Sequence, residues 1–138
     1  IGKGWEQLAC NNKECLHIHP QTDSVTCLEE LGRAKISLNV MPWFKDGAHD
    51  RVFNSILNGA LCVSDPSEYL CGELKEGEGV CYYDLSHLEK LPEKVKELLQ
   101  NETMMQDMVA KGKKKVLEHH TWKQRAEWLE TQIGKLGF

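Results

Sequence analysis

Short runs of strand-forming residues separated by stretches with helical spacing constrain this chain more than any other feature. Ala34-Lys35-Ile36-Ser37-Leu38-Asn39-Val40 reads as a strand, with Pro42 punctuating its end. Leu61-Cys62-Val63-Ser64 is apolar without alternation, the pattern of a strand covered on both faces, and Asp65-Pro66-Ser67 turns it off. Val80-Cys81-Tyr82-Tyr83 follows a loop rich in Gly and Glu (residues 72–79), and Cys15-Leu16-His17-Ile18-His19, ended by Pro20, reads as an earlier strand. Between them, Thr22 or Asp23 caps a helix running through Leu31 and stopped by Gly32. A second helix carries Val52, Phe53, Ile56 and Leu57 at helical spacing and ends at Asn58-Gly59. After the last strand the chain reads as helical over residues 91–100, 102–119 and 121–136, with Thr121 as the final N-cap. Strands alternating with helices imply βαβ units, so the fold class is α/β, a parallel sheet flanked by helices with right-handed crossovers and a helical C-terminal end.

The length of 138 residues suits one domain, and a 41% hydrophobic share is too large for a disordered segment. With 17 basic against 21 acidic residues the net charge is -4, which argues against general attraction to nucleic acid. No apolar run approaches the roughly 20 residues of a membrane helix, and no signal peptide is visible. A cytoplasmic protein is expected. The chain starts at Ile1 without Met, and is expected to be a segment of something longer. Its six cysteines contain no CxxC pair, and Cys62 and Cys81 sit in apolar runs where a free thiol packs as a small hydrophobe. Reduced thiols are expected.

In open parallel sheets ligands bind beyond the carboxyl ends of strands, at helix N-termini. That rule points to the segment between Asn39 and Phe53. Gly47 and Ala48 leave backbone N–H groups uncovered at a helix start, where the positive end of the helix dipole suits a diphosphate. Arg51, one turn in, offers a forked contact to phosphate, and Asn54 shares roughly its face, where an amide can take a ribose hydroxyl pair. The same residues also suit a polar helix start with capping side chains and a solvated Arg. Both readings stand on the residues alone.

The run from Lys35 to Tyr69 carries Leu38-Asn39, Gly47, His49-Asp50-Arg51-Val52-Phe53-Asn54, Leu57-Asn58-Gly59 and Ser67-Glu68-Tyr69-Leu70. It resembles the donor-binding domain of GT-B glycosyltransferases, and within them the spore-maturation-protein-like group. His120-Thr121-Trp122 with Arg125 resembles the terminal His-Thr-Trp-x-x-Arg of that group, and the likeness spans Trp5 to about Leu129. The resemblance implies a Rossmann-like domain over residues 1–138, the C-terminal half of a GT-B fold that begins after its first strand and helix. It implies a nucleoside-diphosphate sugar as donor, no further cofactor, an acceptor domain N-terminal to this one, and a sheet edge that a second copy could cap. Gly47 and Ala48 would meet the diphosphate with Arg51 nearby, and His19 and Pro20 match a loop that contacts the base. Many retaining relatives carry Glu at the position of Asn54 and a second Glu eight positions earlier, where this chain has Asp46. Asp46 and His49 are thereby the weak catalytic candidates, and the stereochemical outcome does not follow. A non-catalytic nucleotide-binding or protein-interaction module with the same fold is the alternative, favoured by the departure at Asn54.

Other clusters read more plainly. Cys10, Cys15, His17 and His19 lack the spacing of a zinc knuckle and read as ordinary packing, so no metal is expected. Lys111-Gly112-Lys113-Lys114-Lys115 reads as a solvated helix face, and Met104, Met105 and Met108 as helix core. Adjacent His119 and His120 do not face each other on a helix. Trp122, Ala126, Leu129, Ile133 and Leu136 fall on one stripe of the last helix, while Trp128 lies off it as a candidate interface residue.

Overall fold

The computed structural model describes residues 16–137. Its sheet has three parallel strands, β1 (Ile36–Asn39), β2 (Leu61–Ser64) and β3 (Val80–Tyr82), in the order β1-β2-β3. Ile36 pairs with Leu61 and Asn39 with Ser64, while Cys62 pairs with Val80. Helices α1 (Ser24–Arg33), α2 (Asp50–Leu57) and α3 (Glu68–Glu73) alternate with the strands. A 3-10 turn over Leu85–Lys90 then leads into α4 (Leu91–Gln100), α5 (Glu102–His119) and α6 (Trp122–Lys135).

Local chemistry explains most of these boundaries. Asp23 caps α1 by accepting from the N–H groups of Val25 and Thr26 at 2.9 and 3.0 Å. Gly32 does not stop that helix, which continues to Arg33. Asn58 caps the end of α2, and Gly59 follows with φ +97, a turn that suits glycine. Thr121 and Gln124 form a reciprocal capping box at α6.

Every residue of β2 is buried, as its unbroken apolar run requires. Its side chains alternate between two apolar clusters. Leu61 and Val63 pack with Cys81, Tyr83, Leu98 and Met105 on one face, and Cys62 packs with Val52, Ile56, Leu70, Val80 and Val116 on the other. Helix α5 serves both, with Met105 in the first cluster and Val116 in the second. Of the methionine set only Met105 is buried, while Met108 is partly buried and Met104 exposed.

Four further expectations change. Residues 16–20 form no strand; they are exposed and have no ladder partner among the described residues, and Cys15 lies outside them. Residues 68–73 form a helix that the turn signal at Asp65-Pro66-Ser67 concealed, because Ser67 is also its N-cap, accepting from Leu70 N–H at 3.0 Å. The lysine run is not simply a solvated face: Gly112 is buried, and Lys115 pairs with Glu78 at 2.7 Å. The apolar stripe of α6 is not buried either, with Trp122 86% and Leu129 53% exposed. Trp128 is exposed as well.

Gly112 is where α5 meets the turn before β3. A Cβ there would lie 2.5 Å from the Cα of Gly79 and 2.6 Å from the carbonyl oxygen of Glu78, both backbone atoms that cannot swing aside. Gly112→Ala should therefore lower the stability measured by urea unfolding by at least about 1–3 kcal/mol, the range for overpacked cores. Gly134→Ala in α6 meets nothing within 4 Å and should be neutral or gain up to about 1 kcal/mol from helix propensity.

Candidate functional site

The carboxyl ends of β1 and β2 are built from buried polar side chains. Asn39, the last residue of β1, is fully buried; its amide donates to Ser64 Oγ at 2.9 Å, and its carbonyl accepts from the Tyr83 hydroxyl at 2.9 Å. Asp65, just past β2, is also fully buried. One of its oxygens accepts from Met41 N–H and the other from Lys45 Nζ, each at 2.6 Å. Ser67 Oγ donates to the Gly47 carbonyl at 2.5 Å, and Glu68 N–H to the Lys45 carbonyl at 2.9 Å. The loop from Met41 to His49 is thus tied to the segment following β2 by these four hydrogen bonds and by a fifth from Lys45 Nζ to the Pro66 carbonyl at 3.3 Å.

This anchoring sets the entry to α2. His49 is its N-cap, with Nδ1 accepting from Arg51 N–H at 3.1 Å. The Arg51 guanidinium reaches back to Asn39 Oδ1 at 3.4 Å. Asn39 is a neutral acceptor, so Arg51 keeps its charge uncompensated there, whereas Lys45 is matched by Asp65. Gly47 is not bare backbone as expected: the Phe44 ring lies against its Cα, filling the space a side chain would need.

Two cavities flank the start of α2. One, of about 760 Å³, lies between α1, β1 and α2 and is lined by Arg51, His49, Asp50 and Asn54 together with Cys27, Leu31 and Ser37. The other, of about 580 Å³, is lined by Asp46, Gly47, Ala48, Asp50 and Asn54, and by Tyr69, Trp122 and Arg125 from later in the chain. Of the residues singled out by sequence, Asn54 borders both, Arg51 and His49 border the first, and Asp46, Gly47 and Ala48 border the second. His19 and Pro20 are exposed and line neither.

Sequence reasoning did not foresee the cluster that closes the second cavity. His120 has a side chain only 2% exposed and stacks on Phe53 of α2, with ring centroids 4.9 Å apart. Arg125 donates to His120 Nδ1 at 2.9 Å and to the Tyr69 hydroxyl, and its guanidinium lies 5.7 Å from the Tyr69 ring centroid. Since arginine only donates, Nδ1 carries no proton, and the ring proton sits on Nε2, which lies 3.3 Å from Glu73 Oε2 without a hydrogen bond to it. Burial pushes the His120 pKa below its ordinary value; Glu73 opposes that shift, and Arg125, His119 and Lys115 reinforce it. The only sequence signal was the pair of motifs Ser67-Glu68-Tyr69-Leu70 and His120-Thr121-Trp122 with Arg125, which spacing alone does not bring together.

The two cysteines of the sheet core, Cys62 and Cys81, offer no nucleophile. Burial pushes the Cys62 thiol up to about 12 and Cys81 up to about 11, so both stay protonated at neutral pH. Cys27, Cys62, Cys71 and Cys81 are free. Among the described residues no group of three or more His, Cys, Asp or Glu could hold a metal ion, and Cys10 and Cys15 lie outside them. No helix among them is long and apolar enough to cross a membrane.

A family model described as glycosyl transferase-like matches residues 1–131. Neither a curated protein nor a solved structure matches significantly.

Two outcomes follow from this geometry. Asp65→Ala removes the partner of Lys45 and leaves Met41 N–H unmatched, and should cost about 3 kcal/mol in urea unfolding. His120 is held neutral in the fold, so its contribution is complete above its ordinary value of 6.5 and is lost as pH falls toward the lower folded value. Urea midpoints should accordingly drop on acidification from pH about 7.5 to about 5.5. His120→Gln, which does not titrate, should flatten that part of the profile.

Proposed function

We propose, since the chain belongs to the glycosyl transferase-like family, that it is the nucleotide-sugar-binding domain of a glycosyltransferase. In this reading it is the donor half of a GT-B enzyme of the spore-maturation-protein-like group, working opposite an acceptor domain of the same polypeptide. The carrying observation is Arg51: a guanidinium at the start of α2, beyond the carboxyl ends of β1 and β2, held by the neutral amide oxygen of Asn39. Glycosyl transfer needs a leaving nucleoside diphosphate to accept growing negative charge, and a fixed cation at a helix N-terminus stabilises that charge where it develops.

The remaining roles follow that placement. Arg51 takes a phosphate oxygen, Asn54 the ribose hydroxyls, and Gly47 and Ala48 the backbone side of the diphosphate once the Phe44 ring moves off Gly47. His49 caps α2 rather than acting on the sugar, and Asp46 is the carboxylate left to meet it where many retaining relatives have two. His19 and Pro20 are proposed to meet the base from outside the cavities. Protein cations and the helix dipole serve the leaving group, so no divalent metal is invoked. No general base is assigned, because the acceptor is activated from the opposite domain.

A second reading, a nucleotide-binding or interaction module without turnover, is favoured by two observations: Asn54 stands in place of a charged ribose contact, and Arg51 and Asp46 border different cavities. Calorimetry with UDP-, GDP-, TDP- and CMP-sugars tests both readings. One of these donors should bind, and Arg51→Ala should weaken it by about tenfold or more, the loss of a charge-assisted phosphate contact. If no donor binds, or Arg51→Ala binds as well as the parent, the donor-site reading fails. Binding without donor hydrolysis or transfer in the full-length polypeptide would select the module.

A further inference from the structure

We infer that His120 and Arg125 are positioning residues that hold α2 and α3 in register and thereby fix the loop that the nucleotide site is built on. The inference rests on the reading of that site as a donor site, but the contacts themselves are independent of it.

The contacts run along two routes from the start of α6. Through His120 the first route reaches Phe53, which lies two residues after Arg51 and one before Asn54 on α2. Through Arg125 the second reaches Tyr69 in the first turn of α3, and the Ser67 cap of that helix grips the Gly47 carbonyl. Glu73, the last residue of α3, faces the opposite edge of the His120 ring. One buried imidazole and one guanidinium therefore touch α2, both ends of α3 and, through Ser67, the loop at Gly47. The α6 start is itself rigid, because the capping box orders Thr121 and Gln124 Nε2 donates to the Leu117 carbonyl at 2.8 Å.

The arrangement requires a neutral ring. Arg125 takes the Nδ1 lone pair, so a proton placed there must displace the guanidinium and leave two cations side by side. The groups that face His120 are Glu73 from α3, Arg125 from α6, and His119 and Lys115 from α5; only Glu73 favours the charged ring. Acidification should therefore release Arg125 from His120 and loosen α2 against α3.

The test uses the full chain and a nucleoside-diphosphate sugar that binds in the panel above, chosen because its diphosphate diester does not titrate near neutral pH. In the parent, affinity should hold from pH about 7.5 down to the ordinary histidine value of 6.5 and fall several-fold below it, because the folded value of His120 lies lower. His120→Gln offers a carbonyl to Arg125 and an N–H to Glu73, so it should keep the neutral-pH affinity and lose the pH dependence. His120→Ala and Arg125→Ala should weaken binding several-fold at neutral pH, mainly through faster release. Native-state hydrogen exchange provides the readout that needs no ligand: in His120→Ala the amides of residues 46–54 and 68–73 should exchange faster than in the parent, while those of β2 stay protected. Unchanged exchange in those two segments overturns the inference, whatever the nucleotide does. Loosened segments with no donor binding would instead overturn the donor-site reading and leave the positioning role standing.

Discussion

A carboxylate taken wholly out of water has to be met by donors, and Asp65 meets that demand in a way that shapes everything around it. Its two oxygens take Met41 N–H and Lys45 Nζ, one at the start of the β1–α2 loop and the other midway along it. The loop therefore cannot wander over the sheet ends. It is drawn against the segment that follows β2, and there Ser67 and Glu68 hold it at Gly47 and Lys45. Desolvating a carboxylate is costly enough that such an arrangement is sustained only when its oxygens are met by donors, and here each oxygen has one. The exposed side of the Lys45 ammonium offsets part of that cost, since it keeps its hydration while its charge serves Asp65.

The sheet beneath makes this possible. With β2 covered on both faces, its carboxyl end is the point at which the backbone leaves the core, and Ser64 and Asp65 are still buried there. Buried polar side chains at that exit satisfy one another: Asn39 and Ser64 across the β1–β2 pair, and Tyr83 on the Asn39 carbonyl. Such a network has few alternative arrangements, because losing one partner strands another in low dielectric. Rigidity at the strand ends then extends outward to the first turn of α2, where Arg51 leans on the Asn39 amide.

Much of this was legible in the residues, and what was not has a physical reason. The unbroken apolar run of β2, the capping signals at Asp23 and Thr121 and the stop at Asn58-Gly59 are local chemistry, and they placed strands and helices nearly where they lie. Residues 16–20 alternate as a strand does, but alternation forms a strand only when a neighbour supplies the ladder. Ser67 serves as turn former and helix cap with the same hydroxyl, so its turn signal hid α3. Gly112 sat inside a lysine run that suggested solvent, whereas its lack of a side chain is what lets α5 touch Gly79. Arg51 and Asn54 were grouped from the sequence because both sit on one helix. His120, Arg125 and Tyr69 were not, since their meeting depends on how α6 returns to α3, which no local pattern encodes.

The charges at the loop follow a division of labour. Two cations lie within reach of the strand ends, and they have opposite partners. Lys45 faces a buried carboxylate and is consumed in holding the loop. Arg51 faces a neutral amide and retains its full charge. Had Asn39 been an aspartate, the guanidinium would already be matched, and an incoming phosphate would have to compete with a fixed anion. An amide at that position orients the guanidinium through its oxygen without satisfying its charge. The orientation is inherited from the core, because the same Asn39 donates to Ser64, and among the described residues no carboxylate pairs with the guanidinium.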